Sequence, residues 1–252
     1  MNRLIPVLTM SNSKLVKTRC FKKPNYIGDP INAVKIFNDK MVDEIILLDI
    51  TATNEGREPN YAKIEEICSE AFMPFAYGGG VRSLDQIQKL FQLGIEKVVL
   101  NSILAENLGL VKEAVAIFGS QSIIASVDVK KNILGKYYAY THSGTKKVKM
   151  PIVEYIQILE KAEVGEIFLN SINRDGTYKS YDLNLIKLLS ELIDIPLVAC
   201  GGAGELGDFK KGIEAGASAV SAGSFFIYKR PHQAVLISYP TQKEISILNF
   251  NK

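Results

Sequence analysis

Short apolar runs, rich in β-branched residues, alternate along the chain with stretches in which apolar residues recur at helical spacing. Residues 44–49 (EIILLD), for example, precede a segment in which Ile64, Ile67 and Cys68 share one helical face. This alternation of strand and helix is typical of α/β proteins with a parallel sheet. Eight strands are predicted, and eight is the number that closes a (β/α)₈ TIM barrel. Their predicted starts are near Leu4, Glu44, Pro74, Lys97, Ser122, Glu166, Pro196 and Ser218.

The helices predicted between these strands follow without a linker. Pro30 and Pro151 stand where a helix would begin, a position at which the missing amide hydrogen costs little. The uninterrupted alternation predicts a single barrel domain over residues 1–252. The predicted helices lie near 30–40, 60–71, 83–92, 107–117, 151–163, 182–193 and 205–215 and in the C-terminal region.

An internal repeat divides the chain into two similar halves. Residues 74–80 (PFAYGGG) align with 196–202 (PLVACGG), and the same offset of 122 residues carries Gly94 to Gly216. It also carries residues 44–45 (EI) to 166–167 (EI). An ordered set of matches in one ungapped register indicates a structural repeat about half a barrel long. The barrel is therefore predicted to consist of two half-barrel repeats.

The glycines of the repeat predict two phosphate-binding sites. A glycine after a buried strand lets the backbone turn with positive φ and approach a ligand closely, and free amide hydrogens at a following helix can hold a phosphate. In a barrel, the loops after strands 3 and 4 and after strands 7 and 8 face each other across one rim. An elongated small molecule with two phosphates is the expected ligand. The first cradle comprises Gly79, Gly80, Asn101 and Ser102, and the second comprises Gly201, Gly202, Gly223 and Ser224.

Composition narrows the classes of partner. The net charge of +3, from 30 basic and 27 acidic residues, is too even to indicate a nucleic-acid or membrane surface. The three cysteines lack metal-site spacing, and no segment reaches transmembrane length. The expectation is a cytoplasmic protein without a metal or cofactor.

Five motifs together resemble HisF, the cyclase subunit of imidazole glycerol phosphate synthase, along nearly the whole chain. They are residues 48–52 (LDITA), 77–82 (YGGGVR), 118–121 (FGSQ), 171–177 (SINRDGT) and 200–204 (CGGAG). The resemblance implies that the barrel receives ammonia from a HisH-like glutaminase, with which it forms a heterodimer. It also implies that the ammonia is used to open and cyclise a bisphosphorylated ribulosyl nucleotide.

The resemblance further implies roles for individual residues. Asp128 matches one of the two aspartates that act as general acid and base, whereas Thr9 stands where the family has the other. A threonine hydroxyl cannot exchange protons near neutral pH as a tuned carboxylate can. Lys17 matches a lysine of the first loop that closes over substrate. For Asp128, a helix cap or a structural ion pair is the alternative role.

Two further candidate sites, a carboxylate and a turn, lie near the predicted rim. Asp49 either contacts substrate or holds neighbouring loops, and Asp175, Gly176 and Thr177 either contact a phosphate or ribose hydroxyl or form an ordinary turn.

Four charged residues stand at predicted strand starts. Arg3, Glu44, Lys97 and Glu166 would therefore meet at the barrel floor and could form a neutral ring. The matching ring of the family gates ammonia. A salt-bridge plug that serves stability alone is the other interpretation.

The sequence favours a cyclase subunit of imidazole glycerol phosphate synthase, a lyase of histidine biosynthesis. One alternative is a HisF paralogue that passes ammonia to a sugar amidotransferase in lipopolysaccharide or O-antigen biosynthesis. The other is a non-catalytic subunit that activates the glutaminase. Thr9 and the altered first loop are the reasons for keeping both alternatives.

Overall fold

The computed structural model describes residues 3–247, and the termini of the predicted domain, residues 1–2 and 248–252, lie outside the described residues. The single-domain assignment over 1–252 stays a prediction. In chain order the strands are β1 (Arg3–Ser11), β2 (Lys14–Arg19), β3 (Lys22–Gly28), β4 (Ile45–Asp49), β5 (Phe75–Gly78), β6 (Lys97–Leu100), β7 (Ile123–Lys131), β8 (Tyr137–Thr141), β9 (Lys146–Lys147), β10 (Glu166–Ser171), β11 (Leu197–Cys200), β12 (Ala219–Ala222), β13 (Tyr228–Lys229) and β14 (Ala234–Val235).

The helices begin and end close to the predicted positions. Their bounds are α1 (Pro30–Asp39), α2 (Tyr61–Cys68), α3 (Leu84–Gln92), α4 (Ser102–Glu106), α5 (Leu108–Phe118), α6 (Ile152–Lys161), α7 (Leu183–Ser190), α8 (Leu206–Glu214), α9 (Ser224–Ile227) and α10 (Gln242–Ile247). Local caps explain several starts. Asp29 accepts the amide of Ile31 at 2.8 Å, and Ser83 accepts that of Gln86 at 3.3 Å.

Eight parallel strands close into a barrel. Each strand pairs with the next in the order β1, β4, β5, β6, β7, β10, β11 and β12, and β12 pairs back to β1. The predicted α/β fold class, a (β/α)₈ barrel, is confirmed, and every predicted strand start lies within one residue of the observed one.

Two apolar layers hold the barrel together. Inward-facing side chains such as Ile5, Ile46 and Phe168 fill the interior, and all three are fully buried. A larger cluster lies between the strands and the surrounding helices and includes Phe37 and Leu90. Because alternate strand residues face opposite sides, each strand serves both layers. Within residues 3–247, no helix has the length and apolar character needed to cross a membrane.

The sequence repeat is reproduced in the backbone. An offset of 122 residues carries the bounds of α2 to α7, of β5 to β11, of α3 to α8 and of β6 to β12. The cradle glycines repeat their conformation as well, since φ is +123° at Gly79 and +94° at Gly201. The half-barrel prediction is thereby supported at the level of single residues.

Two antiparallel hairpins, which the strand and helix pattern did not predict, extend over the rim. The first hairpin (β2 and β3, residues 14–28) follows β1, and the second (β8 and β9, residues 137–147) follows β7. Each hairpin also contacts the other half of the barrel. Cys20 of the first donates its amide to the carbonyl of Asp175 at 3.0 Å, whereas Ser143 of the second donates its hydroxyl to the carbonyl of Ile50 at 2.6 Å.

Candidate active site

A cavity of about 140 Å³ opens at the carboxyl ends of the barrel strands. This end of a (β/α)₈ barrel is where catalytic groups of barrel enzymes lie, because the loops that follow the strands meet there. Its lining comes from both halves. Of the residues singled out from the sequence, it includes Thr9, Lys17, Asp49, Gly79, Gly80, Asn101, Ser102, Asp128, Asp175 and Gly223.

Asp128 is the buried carboxylate on the second half's side of this cavity. The residue lies near the carboxyl end of the buried part of β7 and is 8% exposed. Asn101 donates its side-chain amide to Asp128 Oδ2 at 3.3 Å. Burial, with the nearby Asp175 carboxylate as a second cause, raises the pKa of Asp128 to about 7. The group can therefore both take up and release a proton near neutral pH.

The first cradle borders the cavity directly. Gly79 and Gly80 need to be glycine for a local reason, because a Cβ would lie 2.4 Å from the Asp49 carbonyl and 2.6 Å from the Arg57 carbonyl, respectively. Asn101 and Ser102 lie beside them at the start of α4. The glycines thus let two loops pack closely and leave the cradle open to the cavity.

Asp49 organises the loop that follows β4. Its Oδ1 accepts the backbone amides of Thr51 and Ala52 at 3.0 and 3.1 Å, and Arg57 pairs with its Oδ2 at 3.4 Å. The carboxylate also lines the cavity. Both roles considered from the sequence therefore remain compatible with its position.

The second cradle lies beneath the first hairpin. The Lys17 ammonium forms an ion pair with Asp175 at 2.8 Å, and a Cβ on Gly223 would lie 2.9 Å from Lys17 Cε. Thr18 donates its hydroxyl to the second oxygen of Asp175 at 3.3 Å. Lys17 is thus a buried residue that closes this side of the rim. The remaining candidates on this side do not line the cavity: Gly176, Thr177, Gly201, Gly202 and Ser224.

These covered residues make local contacts. The Thr177 hydroxyl donates to the carbonyl of Arg174 at 2.7 Å, as in an ordinary turn. A Cβ on Gly202 would lie 2.2 Å from the carbonyl of Ser180, so this glycine is also required by loop packing. Packing of the surrounding loops therefore accounts for these residues, and they have no contact with the cavity.

Thr9 lies at the end of β1 and lines the cavity. Its hydroxyl donates to the carbonyl of Val16 across the β1–β2 pair. The proton of this hydroxyl therefore takes part in a hydrogen bond to the first hairpin. Thr9 presents only oxygen lone pairs to a ligand.

The structure brings the four charged residues of the predicted ring together at the barrel floor. Arg3 pairs with both Glu44 and Glu166, and Lys97 donates to the two Glu44 oxygens at 2.9 and 3.0 Å. Burial raises the pKa of Glu166, an effect that the cations Arg3 and Lys97 partly offset. Above the ring, the apolar interior layer extends up to the cavity.

The cavity residues that were not singled out from the sequence include Ser126, Asn170 and Arg82. Asn170 could have been found, because strict alternation along β10 places Glu166, Phe168 and Asn170 on one face of the strand. Within residues 3–247, no cluster of three or more His, Cys, Asp or Glu side chains is arranged to hold a metal ion.

Comparison with known proteins shows similarity along most of the chain. The family model described as "Histidine biosynthesis protein" matches residues 3–232. A protein of Pseudomonas aeruginosa named putative imidazole glycerol phosphate synthase subunit hisF2 is 46% identical over 246 residues, which cover 97% of this chain and 98% of that protein. A Vibrio vulnificus protein named putative subunit hisF3 is 43% identical, with 96% and 94% covered. The subunit HisF of Petrotoga mobilis is 39% identical over 227 residues, with 90% of each chain covered.

Proposed function

Because the chain belongs to the histidine biosynthesis protein family, in which its relatives are HisF subunits of imidazole glycerol phosphate synthase, we propose that it is the ammonia-using barrel of a glutamine-dependent synthase. A separate HisH-like glutaminase would supply the ammonia at the floor, as the heterodimer partner. The observation that carries this proposal is the order of features along the barrel axis. A charged ring lies at the floor, an apolar layer lies above it, and a titratable carboxylate lies at the rim.

Each feature of that axis suits ammonia. An apolar interior penalises a charged ammonium ion far more than neutral ammonia, because an isolated charge loses its hydration there. Asp128, with a pKa near 7, can take a proton from the nitrogen as it attacks an acceptor and can return a proton to a leaving group. General acid and base assistance of this kind contributes about 10²- to 10⁴-fold in rate.

The first candidate acceptor is the bisphosphorylated ribulosyl nucleotide that HisF cyclises in histidine biosynthesis, which would make this chain a lyase. The names of the relatives and the two cradles support it. With this substrate, the first cradle would hold one phosphate, and movement of the first hairpin would admit the other to the second cradle.

The second candidate is an acceptor sugar held by a partner amidotransferase, as in lipopolysaccharide biosynthesis. Thr9 favours it. Cyclisation in this family uses carboxylates at two strand ends, and here the β1 position holds a hydroxyl whose proton is bound to the carbonyl of Val16. Delivery of ammonia needs only the axis and Asp128. A subunit that only activates the glutaminase needs neither a path for ammonia along the barrel axis nor Asp128.

The test compares ammonia with glutamine as the nitrogen source. Purified chain with ammonium chloride and the ribulosyl nucleotide should form imidazole glycerol phosphate if the first candidate is correct. Asp128→Asn should lower that turnover about 10²-fold or more. Asp85→Asn, an exposed aspartate of α3, is the matched control.

The outcomes separate the candidates. Glutaminase activation by the chain without nucleotide turnover supports delivery to another acceptor. Unchanged turnover in Asp128→Asn contradicts the role of Asp128. For the gate, Lys97→Met should reduce glutamine-dependent turnover and release ammonia to solution, while turnover on added ammonium chloride is retained. Equal losses with both nitrogen sources would contradict a gating role.

A further inference from the structure

Two hydrogen-bond donors face the rim cavity without a partner. Ser126 and Asn170 line this cavity and are 5% and 7% exposed. Within residues 3–247, neither the Ser126 hydroxyl nor the Asn170 side-chain nitrogen donates a hydrogen bond, and neither atom is fully enclosed by the protein. Both donors therefore keep a small surface on the cavity. Since nearly buried donors in folded proteins usually have a partner, an unused pair at a cavity indicates a ligand with a hydrogen-bond acceptor.

The second cradle sets the orientation of the Asn170 amide. A Cβ on Gly201 would lie 2.9 Å from Asn170 Oδ1, so the glycine leaves room for this oxygen against the backbone. The oxygen is fully enclosed there and has no hydrogen-bond partner in the described part of the chain. Because the oxygen and the nitrogen of an amide diverge from one carbon, packing of the oxygen against Gly201 turns the nitrogen towards the cavity. Gly201 thus helps to aim a donor at the cavity, although it does not line the cavity itself.

Both donors lie next to Asp128. Ser126 precedes Asp128 by two residues on β7, and Asn170 of β10 is paired in register with Asp128. Alternate residues of one strand, and paired residues of adjacent strands, project to the same face of the sheet. Within residues 3–247, the Asp128 carboxylate accepts one side-chain hydrogen bond, from Asn101 to Oδ2 at 3.3 Å, and its Oδ1 is neither bonded nor fully enclosed. Two donors and a carboxyl group that can carry a proton thus meet on one side of the cavity.

The surroundings of the two donors favour an uncharged oxygen as the ligand atom. The Asp175 carboxylate is close enough to raise the pKa of Asp128, and the two carboxylates together would repel an anion. Lys17, which also lines the cavity, is already paired with Asp175 at 2.8 Å. A phosphate or a carboxylate would therefore bind poorly at Ser126 and Asn170. A carbonyl oxygen has two lone pairs that accept hydrogen bonds, and it brings no charge.

We propose that the Ser126 hydroxyl and Asn170 Nδ2 bind a carbonyl oxygen of the ammonia acceptor and hold it beside Asp128. The inference rests on the proposed function, since it names the residues that place the acceptor for that function's reaction. When ammonia attacks, its lone pair forms the C–N bond, and the electron pair of the C=O π bond moves to the oxygen. The two donors stabilise the negative charge that develops there, as the donors of an oxyanion hole do.

Asp128 completes this step without a net change in its own protonation. Its protonated carboxyl group gives a proton to the oxygen, and the resulting carboxylate takes one from the newly attached nitrogen. Ammonia and the carbonyl compound thus become an amino alcohol, in which one carbon carries both a hydroxyl and an amino group. The first half of the barrel adds no competing donor at the base of the cavity, because its lining there includes the apolar side chains of Val7, Leu48 and Val99.

A spectroscopic test needs no turnover. The probe is dihydroxyacetone phosphate, a ketone with one phosphate for the first cradle, labelled isotopically at its ketone carbon so that infrared difference spectroscopy isolates its carbonyl stretching band. Hydrogen bonds weaken the C=O bond, so the bound band should lie at lower wavenumber than the free one. Ser126→Ala and Asn170→Leu should each move the bound band part of the way back, and the double variant further. Equal positions in wild type and variants, or no bound band in the wild type, overturn the proposal.

A kinetic test uses the assembled synthase with the ribulosyl nucleotide and added ammonium chloride. Ser126→Ala and Asn170→Leu should each lower kcat about tenfold or more and change the KM for the nucleotide less than about threefold, because the hydrogen bonds strengthen as charge develops on the oxygen. Neither change removes a side-chain hydrogen bond within the described residues, so the variants should fold. Ser126→Thr, which keeps the hydroxyl, should retain most of the activity. Asn32→Leu, at an exposed position of α1, is the matched control.

Failure of this inference differs from failure of the proposed function. If the wild-type synthase uses ammonia and both variants do so with an unchanged kcat, the inference is wrong and the function stands. If no acceptor is turned over but the band of the bound ketone still depends on Ser126 and Asn170, the site stands and the function is wrong.

Discussion

The two halves of the barrel share one backbone and differ at the rim. Elements of the first half recur 122 residues later, down to the positive φ values of the cradle glycines. The first cradle nevertheless opens to the cavity, whereas the second lies under the first hairpin and the Lys17–Asp175 ion pair. The two halves therefore share the same frame. Residues outside the repeated register decided which half is open.

Each hairpin contacts the half of the barrel to which it does not belong. The two contacts differ in kind. The first hairpin contacts the second half through a buried ion pair and the Cys20 amide. The second contacts the first half through the Ser102 hydroxyl, which accepts the amide of His142 at 3.2 Å, and through a solvent-exposed ion pair between Lys146 and Glu106 at 3.7 Å. A buried charge pair is costly to break, because one unpaired charge remains. Displacing the first hairpin from the second half should therefore cost more free energy than displacing the second hairpin from the first half.

The largest expected effect concerns the two strand ends, Asp128 on β7 and Thr9 on β1. The folded-state pKa of Asp128 is about 7, against about 3.9 in an unfolded chain. Between these values the native state keeps a proton that the unfolded state has lost, so wild-type stability falls as pH rises from about 4 to 7. The loss should reach up to about 4 kcal/mol.

Urea unfolding measures this effect as a difference between wild type and Asp128→Asn at pH 4.5, near the lower end of the window of about 4 to 7, and at pH 8, above it. The variant should gain stability relative to wild type at the higher pH. Thr9→Val should leave the pH dependence of wild type unchanged. Parallel curves for wild type and Asp128→Asn would show that the carboxyl is not perturbed.

The cradle glycines test whether the two halves are equivalent in packing. A Cβ would lie 2.6 Å from a backbone oxygen at Gly80 and 2.2 Å from one at its counterpart in the repeat, Gly202. Each change to alanine should cost about 3 kcal/mol in unfolding free energy, through left-handed φ and backbone contact together. Gly56→Ala, with φ of +66° and open space around the Cβ, should cost about 1 kcal/mol. Markedly unequal costs at Gly80 and Gly202 would contradict the equivalence.

The hairpins test the asymmetry itself. Lys17→Met should loosen the first hairpin, and hydrogen exchange of the Cys20 amide, which donates to Asp175, should accelerate about tenfold or more. Ser143→Ala removes the neutral contact of the second hairpin with Ile50 and should accelerate exchange of the His142 amide only about threefold. Equal effects would mean that the ion pair does not distinguish the two halves.

The smallest expected effect is on binding of inorganic phosphate. Arg82 lines the open cavity beside the first cradle, whereas Arg174 lies next to the covered glycines and donates to the carbonyl of Lys179 at 2.7 Å. Arg82→Met should weaken phosphate binding about three- to tenfold by calorimetry. Arg174→Met should not change it. The reverse result would place the accessible phosphate site in the second half.

The apolar and polar pattern was sufficient for the frame of the molecule. Strand starts, most helices and the half-barrel register depend on local periodicity and on glycines whose φ is fixed by their own turns, so they are readable along the chain. The ring at the floor followed as well, since a barrel gathers its strand starts. The two hairpins were not predicted, because their short strands carry no long periodic signal.

What the sequence by itself determined was thus the barrel, its two-fold repeat and the set of residues that reach the rim or the floor. The tertiary structure alone decided that Lys17 pairs with Asp175 across 158 positions of the chain, that the Thr9 hydroxyl donates to the carbonyl of Val16, and that Asn170 lies in register beside Asp128 on the neighbouring strand. The physical reason is that hydrogen bonds and burial at the rim depend on how distant loops meet. The local pattern specifies where each strand lies in the sequence. The distant side chains that its residues contact are set only when the barrel closes.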